Sequence, residues 1–200
     1  MKRIVNGLHF QALGEEIRRC KDSTVELCGV CGQRYIGAAA RDKHIRMTGT
    51  PGNALGAYLD GGTIEVYGNA QDATGDTMNE GVIKIHGSAG DATGYAMRGG
   101  KIFIEGDTGY RAGVHMKAYE EKMPAIVVGG RAGSFLGEYQ AGGVIVVLGI
   151  GNTGGEAPVG YFCGTGMHGG RIYLRSSVLP RSLPEQVCAE RCTDADFEAV

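Results

Sequence analysis

The sequence predicts an all-β fold: a single right-handed parallel β-helix of about seven coils, with 19-residue repeats and short terminal capping segments. Three observations favour it. Glycine supplies 36 of the 200 residues, against roughly 7% in ordinary globular proteins. Similar units of about 19 residues follow one another over residues 29 to 175. Each unit contains an apolar run that alternates with period two, as a strand with one buried face does.

The repeat is clearest in three consecutive units, which begin at Gly49, Gly68 and Gly87 and include "GNAQDATGDTMNEGVIKIH". The unit from Gly106 is five residues longer, and the unit from Gly149 is longer again. Aligned on these starts, a central glycine is predicted at Gly37, Gly56, Gly75, Gly94, Gly113, Gly137 and Gly160. Such glycines indicate corners that need a positive φ or a close backbone approach.

Each strand offers two inward columns of apolar residues. The first column is Ile45, Ile64, Ile83, Ile102, Ile126, Ile145 and Ile172. The second is Met47, Val66, Ile85, Ile104, Val128, Val147 and Leu174. A further column of Leu59, Met78, Met97 and Met116 is broken by Gln140. One unit cannot bury its apolar face alone, so stacking in parallel at about 4.8 Å is expected to form a continuous core.

Three segments are predicted along the chain. Residues 1–24 form an N-terminal cap, in which Phe10, Leu13 and Ile17 have helical spacing. Residues 25–176 form the repeat domain, and residues 177–200 form a C-terminal tail that is helical or extended. The last residues, "TDADFEAV", begin like a helix and then stop, which leaves open a further C-terminal segment.

A dinucleotide-binding fingerprint is present in spacing only. Gly149, Gly151 and Gly154 follow the apolar run "VIVVL" in a G-x-G-x-x-G pattern. The following stretch, "GEAPVG", contains Pro158 and no amphipathic helix, whereas a pyrophosphate site needs a helix N-terminus there. The glycines are therefore interpreted as a boundary between units, and no nucleotide site is predicted.

Composition narrows the classes of partner. The formal net charge is −2 and no apolar run reaches the length of a membrane span. Neither a nucleic-acid footprint nor a membrane anchor is predicted. The N-terminus lacks the apolar stretch of a secretory signal, so a cytoplasmic location is expected.

The repeat units resemble the GXGXG domain, the C-terminal domain of the glutamate synthase large subunit, in its stand-alone form. The resemblance covers residues 25 to 175 and is strongest from Gly52 to Gly106 and from Gly129 to Gly149. It implies a non-catalytic assembly subunit of an amidotransferase that passes the glutamine amide nitrogen to 2-oxoglutarate or a related acceptor. It also implies glutaminase and FMN-binding synthase subunits as partners, with FMN and iron–sulfur cofactors on those partners and none on this chain. The alternative is a scaffold subunit of a complex like formylmethanofuran dehydrogenase.

No catalytic or metal-binding residue is predicted, because no nucleophile shares a column with a base. The pair Cys28 and Cys31, and the later pair Cys188 and Cys192, are interpreted as small buried thiols rather than a metal or redox site. Asn53, Asp72 and Asp91 share a column and are expected to accept hydrogen bonds from corner amides.

A candidate interface is predicted on the outward strand positions. These are charged at Arg46, Glu65 and Lys84, and then turn apolar. The apolar strip consists of Phe103, Val127, Val146 and Tyr173. Exposed contiguous apolar surface normally marks an interaction site. The expected occupant is a synthase subunit or another copy of the chain, while cover by the insert at Lys117–Pro124 or by the C-terminal tail remains the alternative.

Overall fold

A computed structural model describes residues 1–198. Two helices, α1 (Phe10–Arg19) and α2 (Asp194–Glu198), lie near the ends of the chain. The nine strands are β1 (Lys2–Ile4), β2 (Thr24–Cys31), β3 (His44–Thr50), β4 (Asp60–Tyr67), β5 (Glu80–Ile85), β6 (Lys101–Ile104), β7 (Ala125–Val128), β8 (Ala141–Val147) and β9 (Gly169–Leu174).

The predicted fold class is wrong. In place of a right-handed β-helix of about seven coils, the strands form one nine-stranded sheet, in which every pair of neighbours is parallel and the order follows the chain from β1 to β9. Two of these strands, β1 and β2, begin before residue 29, where the first of the seven predicted units starts. The helices contribute only ten and five residues.

The segments between strands explain the error. A β-helix coil needs two or three short strands in each unit, but most of the connecting residues form turns, with isolated bridges such as Thr108 to Ala132. These turns hold non-glycine residues at positive φ, for example Ala92 at 53° and Tyr139 at 53°. Left-handed residues interrupt an extended strand, so each unit contributes one strand to the sheet and a turn layer beside it.

The predicted strand columns are confirmed by the register. Ile45 lies opposite Ile64, and the same column continues across every strand pair to Ile172. The five members from Ile64 to Ile145 are completely buried. The turn layer covers this inner face, since a Cβ added at Gly94 would lie 2.5 Å from Cδ1 of Ile126. The core therefore lies between the sheet and the turn layer.

Helix α1 confirms the helical spacing seen near the N-terminus. Leu13 and Ile17 belong to the hydrophobic core, and Arg3 on β1 pairs with Glu16 at 3.0 Å. At the other end, Asp196 accepts hydrogen bonds from the N–H and the hydroxyl of Thr193, which caps the start of α2. The division into segments 1–24, 25–176 and 177–200 stays a prediction.

The last unit departs from the predicted glycine alignment. The N–H of Gly164 donates to the carbonyl of Leu136, as Gly137 does to Ala112, and its φ is 73°. Gly160 bonds instead to Ala132 and is not at positive φ. Gly164, not Gly160, therefore occupies the central column, and the sequence alignment failed because an insert in this unit happens to place a glycine near the expected position.

Side chains at the corners form ladders along the stack. Oδ1 of Asp72 accepts from the N–H of Asp91 at 2.9 Å, and Oδ1 of Asp91 accepts from the N–H of Tyr110 at 2.8 Å. This confirms the predicted role for those two members of the column. A second ladder, through Asn69, Ser88 and Asp107, escaped prediction because its acceptors are of three different types.

Replacing one ladder carboxylate should cost stability without changing the fold. Asp91→Ala leaves the N–H of Tyr110 without its acceptor, and we expect a loss of about 1 kcal/mol in the free energy of unfolding. Asp91→Asn keeps an oxygen that can accept this bond and should recover most of the loss. Urea unfolding of the two variants measures the difference; equal losses would show that the carboxylate acts only through its charge.

Candidate partner interface

The predicted strip is continuous across four strands. Phe103 lies opposite Val127, Val127 opposite Val146, and Val146 opposite Tyr173. Phe103 is 37% exposed, and the other three side chains are half-buried. Because their neighbours in the chain point into the core, these four side chains share the outer face of the sheet. Their role as an interface stays a prediction.

The outer face is wider than the predicted strip. Ala125 and Val144 are register partners on the same face, one alternation before Val127 and Val146, and Leu148 lies one alternation after Val146. All three are half-buried. The apolar surface therefore includes two side chains along β7 and three along β8 and the residue that follows it.

The other half of the outer face carries charge. Nε of Arg46 lies 3.1 Å from Oε2 of Glu65, and Lys84 is the register partner of Glu65. Lys84 in turn lies opposite Phe103, so the change from charged to apolar occurs between β5 and β6. If a partner covers the apolar half, these charges mark the edge of the interface.

The C-terminal tail reaches one end of the strip. Asp196 in α2 accepts from Nη1 of Arg171 at 2.7 Å and from the hydroxyl of Tyr173 at 3.3 Å. The insert lies elsewhere: Lys122 pairs with Glu80 at the start of β5, and Pro124 lies close to Gly143. The tail thus contacts the strip at Tyr173, near the end of β9. The insert at Lys117–Pro124 instead makes its contacts near the starts of β5 and β8.

A histidine bridges two carboxylates beside the strip. Nδ1 of His86 lies 2.7 Å from Oε1 of Glu105, and its Nε2 lies 3.3 Å from Oε1 of Glu65. The ring stacks on Tyr67 with centroids 4.6 Å apart. The hydrogen bond that Glu65 accepts, and then the one that Glu105 accepts, raise the pKa of His86, and the bond with His86 lowers the pKa of Glu65. Sequence reasoning missed this cluster because its members lie in different units: Glu65 on β4, His86 just after β5 and Glu105 just after β6.

The His86 cluster should make stability depend on pH. Its raised pKa means that the native state holds the proton more tightly than the unfolded chain, so the cluster stabilises below the unfolded pKa of about 6.5 and loses this contribution as pH rises through the folded value. We expect His86→Asn to lower stability at pH 5.5 by on the order of 1 kcal/mol or less, and by much less at pH 9. Urea titrations at both pH values test this; a difference that grows with pH would contradict it.

A second exposed surface lies on the turn layer. The rings of His115 and Tyr139 stack with centroids 5.1 Å apart, and Phe135 stacks on Phe162 at the same distance. Arg111 covers the ring of Phe135 at 5.1 Å. Tyr139 and Phe162 are about half exposed. This surface could not be predicted from the sequence, because these residues occupy left-handed positions where glycine is the usual choice.

The cysteines differ from the prediction of buried thiols. Cys31, Cys188 and Cys192 are exposed, Cys28 is half-buried, and none of them forms a disulfide. The first pair lies on β2, whereas the second pair lies in the tail after β9. Only Cys163, which the prediction did not single out, is buried, and burial raises the pKa of its thiol to about 12. No site therefore unites the two pairs within the part of the chain that the structure describes.

Catalytic and metal chemistry were not predicted for this chain. Among residues 1–198, no group of three or more histidine, cysteine, aspartate and glutamate side chains is arranged to hold a metal ion. Neither helix in that range has the length and apolar character needed to cross a bilayer. The cytoplasmic location stays a prediction.

The structure defines a repeat protein whose glycine-marked units each add one strand to a common parallel sheet. The chain belongs to the GXGXG motif family, whose model matches residues 14–197. It is also 45% identical over 202 aligned positions to an uncharacterized protein of Methanocaldococcus jannaschii, an alignment that covers 96% of this chain and 77% of the relative. The family part of the sequence resemblance is thereby confirmed.

Proposed function

We propose that this chain is a non-catalytic assembly subunit of a glutamate synthase-type amidotransferase complex. Its partners are a glutaminase subunit and an FMN-binding synthase subunit, which carry the FMN and iron–sulfur cofactors. The complex transfers the glutamine amide nitrogen to 2-oxoglutarate or a related acceptor. Membership of the GXGXG motif family supports this assignment.

The observation that carries the proposal is the apolar outer face of β6 to β9. Phe103 and Val127 stand side by side in register, and the row continues through Val146. The sheet does not need outward apolar side chains for its own core, which lies on the inner face. A row of half-buried apolar residues bordered by charged ones is typical of a protein interface.

The aromatic surface of the turn layer supports contact with two partners. It lies on the far side of the core from the strip, because the turn layer packs on the inner face of the sheet. Tyrosine and arginine, the types of Tyr139 and of the residue over Phe135, are enriched at binding hot spots, and phenylalanine, the type of Phe162, is enriched at interfaces. One partner on each side would be held at a fixed separation by the sheet between them.

Affinity purification of the tagged chain from native cells tests the assignment. We expect the complex to contain bound flavin, visible as absorbance near 450 nm, together with glutamine-dependent glutamate formation. A complex containing molybdenum or tungsten and no flavin would contradict the assignment and support the redox-scaffold alternative. A chain recovered only as a homo-oligomer would contradict it as well.

A further inference from the structure

An eight-residue insert lies at the corner of the last unit. Thr108 donates to the carbonyl of Arg131, and Ala132 donates in the same way to the carbonyl of Pro158. Arg131 and Pro158 are therefore equivalent positions. Arg131 follows Gly130 by one residue, whereas Pro158 follows the equivalent Gly149 by nine, so residues 150–157 are additional.

Two arginines hold this insert beside a small pocket. Nη1 of Arg131 donates to Oδ1 of Asn152 at 2.9 Å, and Asn152 donates to the carbonyl of Glu156 at 2.7 Å. Nη2 of Arg181, from the C-terminal tail, donates to Oε1 of Glu156 at 2.6 Å. The pocket has a volume of about 100 Å³ and is lined by both arginines, Glu156 and Tyr161.

Among the side chains that line the pocket, two are arginines and one is a carboxylate, while the nearby Asp107 accepts from the backbone N–H of Arg131. Glu156 compensates Arg181, while the contact that Arg131 makes here is to a neutral amide. A guanidinium has five N–H donors, and each of these contacts uses only one. Both arginines therefore retain donors in the fork geometry that matches a carboxylate or a phosphate.

The glycines of the insert stand in open space, since a Cβ added at Gly151, Gly154 or Gly155 would meet nothing within 4 Å. Gly151 and Gly155 are at positive φ, but Gly154 is not, so neither conformation nor close packing explains a glycine at position 154. Within residues 1–198, their N–H groups donate no hydrogen bond. Glycines with free N–H groups allow a ligand to approach the backbone closely.

We propose that this pocket binds a small oxyanion, the carboxylate or phosphate group of a soluble ligand. Arg131 supplies the uncompensated charge, and Arg181 and Tyr161 supply further donors. The insert provides backbone N–H groups next to them. The site is distinct from a dinucleotide fold, because the residues after Gly154 lead into a buried bridge at Val159 rather than a helix.

Calorimetric titration of the full chain tests the proposal with two probes, inorganic phosphate and succinate, at ionic strength held constant with NaCl. We expect saturable binding of at least one probe, with a Kd on the order of 1 mM. Preference for phosphate would identify a phosphorylated ligand, and preference for succinate a carboxylated one. Absence of saturable binding of either probe up to about 20 mM would overturn the proposal.

Three variants locate the binding. Arg131→Gln should weaken it at least tenfold, whereas Arg98→Gln, an exposed arginine elsewhere on the chain, should leave it unchanged. Because Arg131→Gln also removes the bond to Asn152, Gly154→Val provides an independent test: its side chain has room in the structure but should obstruct the backbone N–H groups. An unchanged Kd in Arg131→Gln, or in Gly154→Val if the arginine variant does not fold, would overturn the proposal.

Discussion

Gly62→Ala is expected to lower the free energy of unfolding by about 2–4 kcal/mol, a fall in Tm on the order of 10 °C. Gly62 has a φ of 73°, and an added Cβ would lie 2.3 Å from the carbonyl oxygen of Lys43. That atom belongs to the backbone of the neighbouring unit, so a side-chain rotation cannot relieve the contact. The chain would have to move apart at the start of β4, where Thr63, the next residue, pairs with His44 of β3.

The matched control is the same substitution in α1. Gly14 lies within the helix, and a Cβ there would meet nothing within 4 Å. Gly14→Ala should raise stability by roughly 0.5–1 kcal/mol, because alanine is the better helix former. Urea unfolding of both variants gives the comparison. Equal stability of Gly62→Ala and the parent chain would show that glycine is not required at position 62.

The double variant Val127→Lys with Val146→Lys is expected to weaken assembly at least roughly 100-fold. Burial of each valine in an interface is worth about 1.5 kcal/mol or more, and each tenfold in affinity corresponds to about 1.4 kcal/mol. Both residues are half-buried on the outer face, so the folded chain should tolerate lysine there. Recovery of the partner subunits by affinity purification measures assembly, and urea unfolding measures the fold.

The control for this prediction adds the same charge to the polar half of the sheet. Thr48 and Thr63 share the outer face on β3 and β4, and their replacement by lysine should leave assembly unchanged. Normal assembly and an unchanged oligomeric state in the valine variant would exclude the strip as an interface. If the valine variant unfolds, the strip is covered by the chain itself. Such cover is seen at one end of the strip, where Asp196 accepts a hydrogen bond from Tyr173.

The sequence allowed the strand register to be predicted because period-two alternation and a 19-residue spacing locate Ile64, Ile83 and Ile102 without knowledge of the fold. It did not allow the fold class to be predicted, because the turn segments depend on left-handed residues such as Ala92 and Tyr139. No local propensity distinguishes these from extended residues. The stacking between units, seen only in three dimensions, holds them in that conformation.

For the candidate sites, too, some features could be predicted from the sequence and others could not. The strip was predictable because Phe103 and Val127 occupy one position of the repeat. The bridge of His86 between Glu65 and Glu105 was not, because it depends on side-chain reach across three neighbouring units. The arginine pocket could not be predicted for another reason. Arg131 and Arg181 are 50 positions apart in the sequence, and the insert of residues 150–157 between them led to a wrong alignment of Gly164.

Because the nine strands follow strict chain order, the length of the sheet depends directly on the number of units. Each unit adds one strand spacing, so at about 4.8 Å per step the outermost strands are roughly 38 Å apart. Removing one complete unit of 19 residues would shorten this length by a single step while leaving the register columns intact. The length of the sheet and the chemistry of its outer face can thus vary independently. The number of units determines the length, and outward residues such as Val127 determine which partner binds along it.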